Sequence, residues 1–236
     1  MVKKGKRYED STRRYDRTSA YAPAEALDLV KFMASARFDE SVEAAFRLGV
    51  DPRRADQMLR GNVSFPHGTG KTVRVAVFAP DDRHAEATEA GADIVGGDEL
   101  ITEISEGGPL EFDVAIAVPA MMPRVGRLGR ILGPRGLMPN PKSGTVSNDL
   151  AATVSAFKAG QIEYRTDRYG NVHAVIGKVS FSTDKLAENL STLADELNRA
   201  RPPAAKGRYM RSLTISSTMG PGVKIDVNRL EELTPS

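Results

Sequence analysis

Leu27, Val30, Met33 and Ala34 fall at the spacing of one helical face. Tyr21-Ala22-Pro23 opens that helix, with proline in the first turn, where a missing N–H is harmless. At Ser41 the period changes to two. Val42, Ala44, Phe46, Leu48 and Val50 alternate with Ser41, Glu43, Ala45 and Arg47, which predicts a half-buried strand over 41–50. Asp51-Pro52 then reads as an N-cap followed by a first-turn proline. It predicts a short helix that carries Arg53, Arg54 and Arg60 and stops at Gly61.

Beyond Phe65-Pro66-His67-Gly68 the alternation gives way to nearly continuous apolar runs at 73–78 and 113–118, with a shorter candidate at 92–95. Helices are predicted at 83–90, 99–105, 124–132 and 148–158. Apolar strands interleaved with helices imply a parallel sheet covered on both faces. After Ala159-Gly160 alternation returns. Segments 162–166 and 172–179 flank Asp167-Arg168-Tyr169-Gly170-Asn171 as a predicted hairpin. Leu186, Leu190, Leu193 and Leu197 mark a long amphipathic helix, capped near Ser182 or Thr183 and stopped by Arg201-Pro202-Pro203. Residues 213–218 form a last alternating strand, and 223–227 a further edge strand.

The simplest topology for this order is a split α+β domain, 1–66 with 159–236, into which an α/β domain, 67–158, is inserted. Pro66, His67 and Gly160 mark the two crossings and are expected to act together as one hinge. Length supports the division, since 236 residues suffice for two small domains. Charge supports it too. The net charge of +2 conceals a split: residues 67–158 hold nine Lys/Arg against twelve Asp/Glu, net −3, and the remainder is +5. Residues 1–17 alone contribute +4 and suit a basic arm lying on nucleic acid.

Several chemistries are disfavoured. The chain has no Cys, so disulfides and thiolate metal sites are absent, and its three His are far apart in sequence. No apolar run reaches membrane-spanning length, so no membrane partner is expected. Gly68-Thr69-Gly70-Lys71-Thr72 resembles the end of a phosphate-binding loop. Phe65 stands where its first glycine belongs, however, and a strand rather than a helix follows. Gly126, Gly129 and Gly133 lack dinucleotide-fingerprint spacing. A nucleotide-dependent enzyme is therefore the disfavoured rival, and a protein-interaction adaptor is a third reading. Neither a catalytic residue, a metal site nor a cofactor is expected.

Binding features are better supported. Thr214, Ser216 and Thr218 form a hydroxyl row opposite Leu213 and Ile215, and Ser41 and Glu43 share the polar face of the earlier strand. Such a face offers a shallow platform for a phosphodiester backbone and ribose hydroxyls. Met219-Gly220-Pro221 adds a flexible apolar side chain and a residue without Cβ. Arg37-Phe38-Asp39-Glu40 sets an aromatic beside a cation, although an isolated Phe is more often core.

The segment Gly129-Arg130-Ile131-Leu132-Gly133-Pro134-Arg135-Gly136-Leu137-Met138-Pro139-Asn140-Pro141-Lys142 can be read together with Thr218-Met219-Gly220-Pro221. The pair resembles the L-one family of large-subunit ribosomal proteins, bacterial type, over about 5–227. The resemblance implies a Rossmann-like inserted domain without nucleotide chemistry. It also implies a cytoplasmic ribosomal protein at the mobile stalk beside the exit site, with no obligate protein oligomer. Large-subunit ribosomal RNA, exit-site tRNA (whose release it assists) and its own operon's messenger RNA (which it represses) are the implied partners. In that family the segments matching Arg37, Phe38, Asp39, Glu40 and Ser41 and those matching Ser216, Ser217, Thr218, Met219 and Gly220 form the ribosomal RNA site. Here Arg37 stands where Lys is common and Ser41 where Thr is common. Arg53, Arg54, Arg165 and His173 also match, with roles left open.

Overall fold

The computed structural model describes residues 5–233. Part of the expected basic arm, residues 1–4, lies outside them. In chain order the elements begin with α1 (Lys6–Arg13), α2 (Pro23–Met33), β1 (Ser41–Leu48), β2 (Arg60–Ser64), β3 (Val75–Phe78) and α3 (His84–Glu89). They continue with β4 (Ile94–Gly96), α4 (Asp98–Ser105), β5 (Val114–Ala117), α5 (Met122–Val125), α6 (Gly129–Leu132) and α7 (Leu150–Lys158). The last are β6 (Gln161–Arg165), β7 (Asn171–Lys178), α8 (Thr183–Arg199), β8 (Met210–Ser217) and β9 (Val223–Ile225). These elements make a mixed α/β architecture with two compact units. One joins Met1–Gly70 to Tyr164–Ser236, and the other is Lys71–Glu163. The divisions fall after 70 and 163, a few residues beyond the expected 66 and 158.

In the discontinuous unit, β7, β1, β8 and β9 lie side by side in one antiparallel sheet. The period-two pattern of β1 determines its faces: Val42, Ala44, Phe46 and Leu48 are buried, while Glu43 and Arg47 are exposed. The buried face meets α2, through Leu27 and Val30, and α8, through Leu186, Leu190, Leu193 and Leu197. Gly177 of β7 has φ +156°, and a Cβ there would stand 2.8 Å from Leu186 Cδ2. Glycine at that position lets α8 pack against the strand.

In the contiguous unit, β4, β3 and β5 form a parallel sheet. Its short strands are buried on both sides. Ala76 and Phe78 pack with Ile101, Ile104, Val125, Leu128 and Leu132, whereas Val75 and Val77 pack with Ala87, Leu150, Val154 and Phe157. This is why the strands read as apolar runs rather than alternations.

Three local expectations are corrected. The predicted helix after Asp51-Pro52 is a turn followed by one 3-10 turn, Ala55–Gln57, and Arg60 begins β2. The Asp51 carboxylate accepts the Arg53 N–H at 3.1 Å, and Gln57 Oε1 accepts the Asp51 N–H at 2.8 Å, so the turn is closed by side chains. The predicted hairpin 162–179 is joined at its turn by a single bridge, Thr166 to Val172; beyond it β6 pairs with β2 and β7 with β1. The turn itself is closed by Asp167, whose carboxylate accepts the N–H groups of Tyr169 and Asn171 at 2.8 Å each. Helix 124–132 is a succession of α and 3-10 turns broken around Gly126 and Gly129.

Candidate nucleic-acid interface

The solvent face of the four-stranded sheet is read from its register. His173, Ala45, Thr214 and Lys224 lie across it in one row, and Val175, Glu43 and Ser216 in the next. Ala45 leaves a shallow trough between His173 and Thr214. At the end of the sheet where β1 begins, Ser41 faces Lys178, whose Nζ donates to Ser41 Oγ at 2.9 Å. Thr218 Oγ1 accepts the Ser41 N–H at 3.0 Å and donates back to the Ser41 carbonyl at 3.3 Å. The two segments that the sequence reading paired are thus joined strand to strand.

Glu40 holds this end together. It is only 1% exposed. Its Oε1 accepts the N–H groups of Ser35 and Ala36 at 3.1 and 2.9 Å, and its Oε2 accepts that of Met219 at 2.9 Å. Burial alone would raise its pKa, but the N–H donors of Met219, Ala36 and Ser35 outweigh burial and hold the carboxyl below the usual glutamate range. Glu40 was expected among the contact residues. It is instead a staple, because its buried carboxylate is already occupied by the protein's own donors. Asp39 acts similarly on a third loop, accepting Ser180 N–H at 3.1 Å and Ser180 Oγ at 2.7 Å.

The side chains displayed on this frame are Arg37, Phe38 and Met219, the last two 57% and 66% exposed. Phe38 is therefore not core. Gly220 packs against the protein's own Ser217 as well as lying beside Met219. A Cβ there would lie 2.5 Å from Ser217 Oγ, so a larger residue would first displace that hydroxyl.

Arg53, Arg54 and Arg165 are exposed at the opposite end, roughly 23 Å away along β1 at about 3.3 Å per residue. None of the three forms an ion pair among the described residues. Arg60, Arg199 and Arg201 frame a depression of about 290 Å³ nearby. His173 lies between the two ends, exposed, 3.7 Å from Asp167 Oδ2. The nominated residues therefore form two groups rather than one site.

The crossings also have defined geometry. Asn189, fully buried on α8, accepts the His67 N–H at 3.3 Å and donates to the Gly68 carbonyl at 2.9 Å. His67 Nε2 lies 2.6 Å from Glu188 Oε2. Residues 66–68 are thereby held to α8, where a hinge had been expected; an isolated Asn inside a helical pattern gave no sign of this. Gly68-Thr69-Gly70-Lys71-Thr72 runs as a connecting loop, with Gly68 and Gly70 at φ +62° and +71°, and Lys71 pairs with Asp113 at 2.6 Å. That segment precedes no helix N-terminus and has no phosphate-loop geometry.

No helix among the described residues is long and apolar enough to cross a membrane, and no cluster of His, Asp and Glu suited to a metal occurs among them. Curated relatives called large ribosomal subunit protein uL1 match nearly the whole chain. The protein from Cutibacterium acnes is 58% identical over 95% of this chain and 97% of its own. That from Kitasatospora aureofaciens is 56% identical over 98% and 96%. The Thermobifida fusca protein is 54% identical over 98% of each. Residues 29–221, which include both stapled segments and the parallel-sheet unit between them, match the profile of the Ribosomal protein L1p/L10e family, and the chain belongs to that family.

Proposed function

We propose that the chain is a structural constituent of the large ribosomal subunit, binding large-subunit ribosomal RNA through the stapled end of its four-stranded sheet. One observation carries this reading: a buried carboxylate holds two loops in register so that Arg37, Phe38 and Met219 project from a fixed frame, beside a Thr218 hydroxyl that is itself bonded to the Ser41 backbone. Preorganised polar and aromatic groups beside a hydroxyl-lined strand suit the sugar-phosphate face of folded RNA. The arginines at the other end, with no carboxylates paired to Arg53, Arg54 or Arg165 among the described residues, suit the backbone of a second RNA, exit-site tRNA. In this scheme the two units act as two domains. Their pivot lies at Gly70-Lys71 and near Glu163-Tyr164, beyond the segment that Asn189 pins, and its movement assists tRNA release. A messenger RNA that mimics the ribosomal site would compete for the stapled end and so be repressed.

The test titrates full-length protein with large-subunit ribosomal RNA fragments and, separately, with deacylated tRNA at matched salt. Thr218→Val should weaken the first and spare the second; Arg53→Gln with Arg54→Gln should do the reverse. Equal loss on both RNAs from either variant would refute the division of labour, and failure to bind any ribosomal RNA fragment would refute the whole reading.

A further inference from the structure

Alongside the stapled end is a cleft of about 350 Å³ lined by Gly5, Arg7, Tyr8, Ser35, Ala36, Arg37, Phe38 and Met219. Its volume lies at the small end of the roughly 300–1,000 Å³ range of ligand pockets. One wall comes from α1 and the other from the two loops that Glu40 ties together. Among the described residues no acid lines it, while Arg7 and Arg37 are both exposed at it. The walls combine two aromatic rings with a thioether. Flat π-surfaces beside guanidinium groups, with no carboxylate, match one unstacked base of a polyanionic chain. They match an acidic or lipid ligand less well, because neither needs two rings.

We propose that this cleft receives a single unpaired nucleobase from the bound RNA, stacked by Phe38 and Tyr8 and closed by Met219, with Arg7 and Arg37 on the flanking phosphates. The inference rests on the RNA-binding reading above and extends its contact surface to α1. The staple gives it a physical basis, since the backbone positions of Ala36 and Met219 are held before RNA arrives and stacking need not order them. Recognition is by ring face, so the cleft tolerates different bases but not the loss of a base.

The experiment is an abasic scan. Full-length protein is titrated with a ribosomal RNA fragment that it binds, and with the same fragment carrying an abasic nucleotide at each unpaired position in turn. One position should weaken binding by about tenfold. Tyr8→Ala should lower affinity for the intact fragment by a similar factor and erase the abasic effect at that position, whereas Tyr8→Phe should restore both. Circular dichroism confirms that each variant is folded. A flat scan with intact binding would overturn the base clamp while leaving the RNA reading in place; absence of binding would remove both. If Tyr8→Ala weakened every abasic fragment and the intact one equally, α1 would merely support the loops and the proposal would fall.

Discussion

The two ends of the four-stranded sheet present polar groups to solvent in opposite ways. Where β1 begins, Glu40 is buried and Asp39 is engaged by Ser180, while Glu43 stays exposed on the strand. Glu40 and Asp39 hold three loops, and what faces outward includes an aromatic ring, a thioether and two arginines, Arg37 and Arg7. Where β1 ends, Arg53, Arg54 and Arg165 stand exposed without paired carboxylates among the described residues. The first arrangement gives cations and flat side chains on a frame of fixed geometry. The second gives field and little fixed geometry. Short-range groups discriminate among RNA shapes, whereas exposed cations attract any phosphate backbone.

The largest expected effect comes from breaking the staple. Glu40→Ala leaves the Ser35, Ala36 and Met219 N–H groups without their acceptor and should cost roughly 3 kcal/mol or more of stability, read as a shift in urea midpoint. Affinity for ribosomal RNA should fall with it. Glu40→Gln sharpens the point. If its carbonyl oxygen keeps the Ser35 and Ala36 bonds, its NH₂ group opposes the Met219 N–H, freeing that loop alone at about 1–3 kcal/mol. The carboxyl also gives a pH signature. Its folded pKa is lowered, so its contribution is fully present above the ordinary glutamate value and is lost as pH falls through the lower folded value. Wild-type stability should therefore drop in that acid window more steeply than Glu40→Gln stability. Equal slopes would remove the staple from the account.

Next in size is Thr218→Val, expected to lower ribosomal RNA affinity by roughly 1–3 kcal/mol at fixed salt while leaving the salt dependence unchanged. Arg53→Gln with Arg54→Gln should behave as its converse, reducing the slope of log affinity for tRNA against log salt by about 0.7–0.9 per charge removed. A changed salt slope in Thr218→Val, or an unchanged one in the arginine pair, would erase the contrast between the ends. The smallest effect is on folding: Phe38→Ala should alter stability by no more than about 0.5 kcal/mol, because the ring is 57% exposed. A core-sized loss would show that the ring supports the fold.

Much of this architecture was legible in the chain. The alternation at 41–48 identified which side chains of β1 are buried, because a strand turns successive side chains to opposite faces. The uninterrupted apolar runs around 75–78 and 114–117 identified strands covered on both sides, and the leucines of α8 identified its packing face. Arg37-Phe38 and Thr218-Met219 could also be nominated as one site through family resemblance. Periodicity, however, records only a residue's own burial, and it is silent about partners far along the chain.

For that reason Glu40 could be named but not understood. A carboxylate reads as exposed in a linear string, and only the fold brings the Met219 N–H, 179 residues away, within 2.9 Å of it. The hinge shows the same limit, since the buried amide of Asn189 fastens Gly68 from 121 residues away. Local pattern, set by backbone geometry and burial, determined the elements and their inward faces. Long-range hydrogen bonding, which exists only once the chain has folded, decided which polar residues hold the protein together and which are left to face solvent.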